Sequence, residues 1–207
     1  MRAPLLALMG LLLLAPARAA DDAARPVAPS ADPTQVRPGT YVLDPDHGKI
    51  TWSVSHLGYS TYYGQFTGLT GTLELDPKAP EKGRLNVSVP LAGVITGSAR
   101  LNEHLAAPDF FDTAKFPTAT FTATRVEPTS PTTARITGDL NLRGAVRPLA
   151  IDATFNQAGI HPADQRYTVG FDGLAMIKRS DFGITAFLPQ LGDEVSLRIE
   201  GEFKAAP

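Results

Sequence analysis

The side chains most able to bind a metal or move a proton in this chain are its four histidines, at positions 47, 56, 104 and 161. A metal-binding histidine usually works with a second ligand at a fixed spacing, such as His-x-x-x-His on a helix. None of the four has that spacing, and the chain contains no Gly-x-Ser-x-Gly nucleophile motif. We therefore predict no metal site, no cofactor and no enzyme activity. A hydrolase whose Ser-His-Asp triad is scattered along the sequence is the alternative.

Composition excludes several further classes of chemistry. The chain has no cysteine, so disulfides, thiol nucleophiles and thiolate metal sites are excluded. Its longest basic stretch is Lys178-Arg179, and the formal net charge is −2, so nucleic acid is not an expected partner. The apolar run from Leu5 to Ala15 is too short to span a bilayer as a helix, and no other run is longer. We predict no membrane span.

The first 39 residues do not show the pattern of a folded domain. The apolar run is followed by Ala17-Arg18-Ala19, which is typical of a signal peptide cleaved after residue 19. Residues 20–39 are rich in Ala, Pro and Asp without periodicity, which predicts a disordered leader. The sequence thus predicts a signal peptide (1–19), a leader (20–39) and one domain (40–205), with the protein periplasmic or secreted.

Period-two alternation dominates residues 40–205 and predicts about eight strands, each with one apolar face. Turn signals separate the strands at residues 44–46, 76–77, 143–144, 156–159 and 191–193. No long helical crossover intervenes, so the sheet is antiparallel. Such a sheet buries its apolar face either as a closed barrel or as a two-sheet sandwich, and the pattern alone does not separate these.

One segment interrupts the strand pattern. Ser98 as an N-cap, with Leu101 and Leu105 on one face, predicts a short helix over residues 98–107 that Pro108 ends. The phenylalanines at positions 110, 111 and 116 follow it. A short helix and an aromatic turn are therefore expected to bridge two central strands.

Four motifs resemble those of the YceI-like family of exported lipid-binding proteins. They are HLGYSTYYGQFTGLTGTLELD (56–76), NEHLAAPDFFDTAKFPTATF (102–121), GDLNLRGAVRPLAID (138–152), and KRSDFGI (178–184) followed by LGDEVSLRIEGEF (191–203). They fall in family order over Tyr41 to Phe203. The resemblance implies an all-β, eight-stranded antiparallel, lipocalin-like barrel with one short helix. It also implies an elongated apolar cavity for a polyisoprenoid, a prenyl-quinone-like compound or a fatty acid derivative.

We interpret the inward-facing side chains as the wall of that cavity and the helical interruption as its gate. Phe111 and Phe116 would close the cavity, with His104 near the ligand's head group; the alternative is that His104 and Asp109 only fix the loop. The predicted ligand-binding residues are Trp52, Val54, Phe66, Val87, Val89, His104, Phe111, Phe116, Phe121, Leu140, Ile151 and Val169. The competing hypothesis is a secreted stress-response protein whose side chains fill the barrel.

The only expected partner is this long-chain isoprenoid or other lipid, bound as a ligand. Tyr59, Tyr62 and Tyr63 form an amphipathic cluster that suits either the rim of the cavity or a transient contact with a membrane surface. Formation of a homodimer is compatible with the sequence but is not indicated by any motif.

Overall fold

Alternating apolar residues form the strands of a closed β-barrel. The computed structural model describes residues 28–207; the predicted signal peptide and residues 20–27 of the predicted leader lie outside them. The helix α1 is Ala99–Ala106, and short 3-10 helices lie at Pro33–Gln35, Pro80–Lys82, Leu91–Gly93 and Arg179–Phe182. The strands are β1 (Gly39–Leu43), β2 (Lys49–His56), β3 (Ser60–Phe66), β4 (Thr70–Leu75), β5 (Arg84–Pro90), β6 (Val94–Ile95), β7 (Thr118–Pro128), β8 (Thr133–Leu142), β9 (Ala145–Ile160), β10 (Tyr167–Lys178) and β11 (Leu191–Ala205).

The sheet closes because β11 pairs with strands on both of its sides. The ladder runs β1-β4-β5-β7-β8-β9-β10-β11, and β11 pairs back onto β1, all antiparallel. Towards the other end of β11, the pairing continues through β2, β3 and β6. The short strands β2, β3 and β6 thus extend β1, β4 and β5 across brief breaks. The prediction of an eight-stranded antiparallel barrel is confirmed, and the sandwich alternative is wrong because the pairing of β1 with β11 closes the ladder on itself.

Two of the predicted turns lie inside strands instead. Residues 156–159 belong to β9, where Ala158 pairs with Val169 and Gly159 with Thr168 of β10. Residues 191–193 belong to β11, where a register shift between Leu191 and Val195 absorbs the glycine and aspartate. In both places the neighbouring strand supplies ladder hydrogen bonds that outweigh the local turn preference. The predicted turn at residues 143–144 is confirmed, with φ of 52° and 75° at Arg143 and Gly144, as a tight hairpin requires.

The barrel has one filled half and one open half. At the end remote from α1, aromatic rings fill the interior: Phe171 makes edge contacts with Phe155 and Phe203, at centroid distances of 5.7 and 6.2 Å. Tyr41 and Val169 are almost completely buried among them. A second cluster of Phe121, Leu149 and Ile151 packs beside this core. The open half is the one that α1 covers.

The helix α1 forms where the sequence predicts it. The Ser98 hydroxyl accepts a hydrogen bond from the Leu101 amide at 3.3 Å, which satisfies one of the free amide groups of the first turn. Leu105 is buried towards the barrel, and the chain leaves the helix at Ala107, directly before Pro108. The helix therefore lies over one end of the barrel, between β6 and β7.

Part of the predicted leader lies against the barrel, which differs from the expected disorder. Ser30 pairs with Ala158 of β9, and Val36 is buried. The Arg37 guanidinium lies 4.4 Å above the Tyr167 ring, and the Tyr41 hydroxyl donates to the Arg37 carbonyl. Composition indicated disorder because residues 28–39 have no periodicity, but a single buried valine and a stacked arginine suffice to fix so short a segment.

Polar groups reinforce the junction at which β1 and β11 close the barrel through three residue pairs. The Lys204 ammonium lies 2.7 Å from Asp44 Oδ2 and 2.5 Å from Asp164 Oδ2. His47 Nδ1 lies 2.8 Å from the same Asp44 oxygen. Burial raises the pKa of Asp44, but hydrogen bonds from Lys204 and His47 outweigh it and hold that pKa well below its usual range. The hydrogen bond to Asp44 raises the pKa of His47.

We expect Asp44→Asn to lower the free energy of unfolding by about 2–3 kcal/mol in mildly acidic solution, because it leaves Lys204 with one carboxylate instead of two. The depressed pKa of Asp44 gives stability above its unfolded pKa, which is lost as the pH falls through the folded value. The raised pKa of His47 gives stability below its unfolded pKa, which is lost as the pH rises through the folded value. The difference between wild type and variant should therefore be largest from about pH 4 to about pH 6.5.

Urea denaturation of both proteins across this pH range measures the difference. A constant difference from acid to alkaline pH would contradict the assignment of the stability to these ionised groups.

Candidate functional site

A largely apolar cavity of about 520 Å³ occupies the half of the barrel that α1 covers. Its wall combines strand residues of the barrel with side chains of α1, of the aromatic turn after it and of the loop before β11. The volume falls within the range of about 300–1,000 Å³ that is usual for small-molecule sites. The cavity is the candidate functional site.

Seven of the twelve predicted ligand-binding residues line the cavity. They are Trp52, Val54, Phe66, Val89, His104, Phe111 and Leu140. The strand residues among them alternate inward in the open half of the barrel, as period-two patterning requires. Whether they contact a ligand stays a prediction.

The other five predicted residues lie away from the cavity wall. Phe121 and Ile151 pack together in the second core cluster, and Val169 is completely buried in the filled half. Val87 lies on β5 opposite Gly71 and Phe121, packed against the core. Phe116 packs over Gly144, whose added Cβ would lie 2.8 Å from its ring. Alternation of apolar and polar residues shows that a side chain points into the barrel. It does not show whether the barrel interior at that level is packed with side chains or open.

Trp52 is held flat against the barrel wall by a glycine on the neighbouring strand. It pairs directly with Gly64 of β3, and a Cβ added at Gly64 would lie 2.2 Å from Trp52 Cζ2. The ring also stacks near Tyr62, at a centroid distance of 6.4 Å. Because Trp52 is the only tryptophan of the chain, its fluorescence reports on the cavity directly.

The aromatic turn after α1 closes the cavity from above. The Phe111 ring makes an edge contact with Phe66 at 5.4 Å, and Phe110 is buried beside it. The His104 ring stands edge-on to Phe110 at 4.9 Å and to Phe187 at 6.1 Å. His104 Nε2 lies 3.1 Å from Asp109 Oδ2, so this histidine both fixes the turn and faces the cavity.

We expect Phe111→Ala to accelerate ligand dissociation by about ten-fold or more, because it removes an aromatic contact that separates the cavity from solvent. Phe116→Ala is the matched control: the residue lies in the same segment but off the cavity wall. Stopped-flow displacement of a fluorescent fatty acid from both variants measures the off-rates. Equal acceleration in the two variants would show that the segment affects binding only through its general stability.

The polar side chains of the wall are gathered at one end of the cavity. His56 pairs with Leu191 across β2 and β11, and the Leu57 amide donates to the Gln190 carbonyl at 2.9 Å. The Arg179 guanidinium donates to the Leu191 carbonyl at 2.8 Å, which places it beside them. His104 lies at the same end, because its ring contacts Phe187, which belongs to the same loop as Gln190. The rest of the wall is almost entirely aliphatic and aromatic, so the cavity has one polar end and one apolar end.

Sequence reasoning missed several of these wall residues. Arg179 was noted only as part of a motif, and Phe187 and Gln190 lie in a loop without any periodic signal. Phe110 was part of the predicted aromatic turn but was not assigned to the site, although it lines the cavity. A lone arginine in a short motif between two apolar strands was the one signal that could have pointed to the polar end.

The described residues contain one group of side chains with the composition of a metal site. Asp44, His47 and Glu202 each place a ligand atom within 4.8 Å of the other two. They lie at the β1–β11 junction, away from the cavity. The ammonium of Lys204, 2.7 Å from the Asp44 carboxylate, already supplies a cation there. We therefore interpret this group as the polar reinforcement of the barrel closure.

Several apolar side chains are exposed close to the mouth of the cavity. Leu57 and Phe187 both line the cavity and remain 49% and 60% exposed. Tyr59, in the turn between β2 and β3, is 90% exposed, and Tyr62 lines the cavity.

Over residues 28–207, the structure contains no helix with the length and hydropathy needed to cross a membrane.

The chain is similar to known proteins over most of its length. The YceI-like domain matches residues 41–203. A UPF0312 protein of Pseudomonas savastanoi pv. phaseolicola is 39% identical over 152 residues, which cover 72% of this chain and 79% of the relative.

Two solved structures share the fold. The structure of BcnA from Burkholderia cenocepacia superposes with a TM-score of 0.70 at 23% identity, covering 77% of this chain and 98% of that one. A polyisoprenoid-binding domain from Saccharophagus degradans, described as implicated in plant cell wall breakdown, superposes with a TM-score of 0.60 at 16% identity. It covers 82% of this chain and all of that domain.

Proposed function

Because the chain belongs to the YceI-like domain family, we propose that it binds a long amphiphile in the apolar cavity of the barrel, as a carrier or store. The observation that carries the proposal is the half-open barrel, with a cavity of about 520 Å³ and an almost wholly apolar wall. The candidate ligands are polyisoprenoids, prenyl-quinone-like compounds and fatty acid derivatives. The name of the Saccharophagus degradans domain supports an isoprenoid among them.

The energetics of such a cavity suit a hydrocarbon chain. Each methylene moved from water into the cavity contributes about 0.8 kcal/mol. Ten methylenes give roughly 8 kcal/mol, which corresponds to about micromolar affinity before the cost of ordering the chain. A prenyl chain that fills the apolar end would therefore bind without any polar contact, and the polar end would add selectivity for the head group.

The location of the protein is part of the proposal. We propose that the mature protein acts in the periplasm or after secretion, supported by the apolar run and the Ala17-Arg18-Ala19 site of the sequence. Finding residues 1–19 on the exported protein by N-terminal sequencing would contradict this.

Organic extraction and mass spectrometry of natively purified protein test the binding function. We expect a stoichiometric long-chain compound that is absent from a parallel extraction of an unrelated exported protein. Recovery of no such compound, together with no uptake of added lipids by delipidated protein, would favour the alternative of a secreted stress-response protein with a filled barrel. Turnover of ester substrates would instead favour a hydrolase on this fold.

A further inference from the structure

Arg179 is a charged side chain buried in the wall of an otherwise apolar cavity. It directly follows β10, begins the 3-10 helix Arg179–Phe182 and is only 5% exposed. Aliphatic side chains flank it on the wall, among them Ile177, Ile184 and Leu191. Arginine is almost never this buried unless its charge is paired, so its partners decide what it does.

Backbone carbonyls take up most, but not all, of its hydrogen-bond donors. Nε donates to Gly192 O at 2.8 Å, and Nη2 donates to Leu191 O at 2.8 Å. Nη1 donates to Ile184 O and to Ala186 O, both at 2.9 Å. A guanidinium carries five N–H groups, so one N–H on Nη2 has no partner among residues 28–207. Arg179 itself lines the cavity.

The positive charge of Arg179 is also incompletely balanced. Within the described part of the chain, no carboxylate lies within 4.0 Å of the guanidinium. Asp193 acts on it from a longer distance, while its own oxygens accept hydrogen bonds from the Ser180 amide and hydroxyl at 2.9 and 2.7 Å. Burial lowers the pKa of Arg179 more than Asp193 raises it. The cavity therefore contains a desolvated cation that an anion would compensate.

We propose that Arg179 binds an anionic head group, a carboxylate or a phosphate, on the long-chain ligand of this cavity. The inference rests on the proposed lipid-binding function and specifies the class of ligand. The head group lies at the polar end, beside His56 and Gln190, and the hydrocarbon chain extends to the apolar end. The unpaired N–H donates to one oxygen of the anion, and the fixed carbonyls hold the guanidinium in place, so little ordering is needed on binding.

Three ligands of equal chain length separate the contributions of charge and chain. They are hexadecanoate, hexadecyl phosphate and hexadecanol, and their binding to delipidated wild-type protein is followed by Trp52 fluorescence. A hydrogen bond to a charged group corresponds to a gain of about ten- to hundred-fold in affinity. We therefore expect at least one of the two anions to bind at least about ten-fold more tightly than the alcohol, and the better anion identifies the head group.

Variants at position 179 test whether Arg179 causes the preference for an anionic ligand. Arg179→Lys keeps the charge and is expected to keep the preference for the anion, whereas Arg179→Met is expected to lose it. Lys178→Met, which removes the adjacent exposed charge, is the control and should behave as wild type. Should Arg179→Met fail to fold, Arg179→Gln, which is uncharged but keeps a hydrogen-bond donor, takes its place and is expected to lose the preference as well.

The outcomes distinguish this inference from the proposed function. Equal affinity of wild type for all three ligands would overturn the role of Arg179 and leave lipid binding intact. An anion preference that persists in folded Arg179→Met would also overturn it. Binding of none of the three would instead count against the lipid-binding function itself.

Discussion

Replacing Ala119 with tryptophan is expected to weaken binding of a long-chain ligand by about a hundred-fold or more. Ala119 is a buried residue of β7 that lines the cavity. It pairs with Val89 of the neighbouring strand β5. The larger side chain would occupy space that at least about four ligand methylenes need, and each contributes about 0.8 kcal/mol. Because the new ring enters existing space, the loss of stability should be small compared with the loss of affinity.

Lipid recovered on purification and displacement of a fluorescent fatty acid measure this effect. Val89→Trp places a ring in the same region of the cavity from the neighbouring strand. It serves as the second test if Ala119→Trp does not fold. Val146→Trp, at a site that is 52% exposed on the outer surface, is the control and should bind as wild type does. Unchanged lipid yield in both folded cavity variants would show that the ligand, if any, binds elsewhere.

The second large effect is expected at Gly64, which lies behind Trp52. We expect Gly64→Ala to lower the free energy of unfolding by about 2–3 kcal/mol, since overpacking a core typically costs 1–3 kcal/mol. The added Cβ would lie 2.2 Å from Trp52 Cζ2 and 2.5 Å from Cε2. Neither strand can move away without breaking the β2–β3 ladder, so the indole must tilt into the cavity. Ligand affinity should fall together with stability.

Gly170→Ala is the matched control for this prediction. Gly170 also lies within a strand, β10, but its added Cβ would have no neighbour closer than 3.8 Å. Alanine there should change stability by less than about 1 kcal/mol. Urea denaturation followed by Trp52 fluorescence compares the two variants. Similar losses at both positions would show that strand glycines matter here through backbone freedom and not through the contact with Trp52.

The class of fold and the position of α1 could both be predicted from local patterns of residues. Alternation along strands such as β2 and β8 reflects which face is buried, and this requirement is local to each strand. The Ser98 cap and the stop at Pro108 are likewise local, so α1 was predicted to within a residue at each end. Family resemblance added the barrel, which alternation alone could not separate from a sandwich.

Which end of the barrel is filled could not be predicted from these patterns. Val169 and Phe121 alternate inward as regularly as Trp52 and Val89, yet the first two are packed in the core and the last two line the cavity. The difference arises because Phe155, Phe171 and Phe203 converge from three different strands to fill one half. Arg179 joins the site for the same reason: its partners Ile184 and Leu191 reach it through a loop whose path has no periodic signal. Whether a given level of the barrel interior is filled depends on contacts between strands that are distant in sequence. Such contacts produce no periodic pattern in the sequence of any single strand.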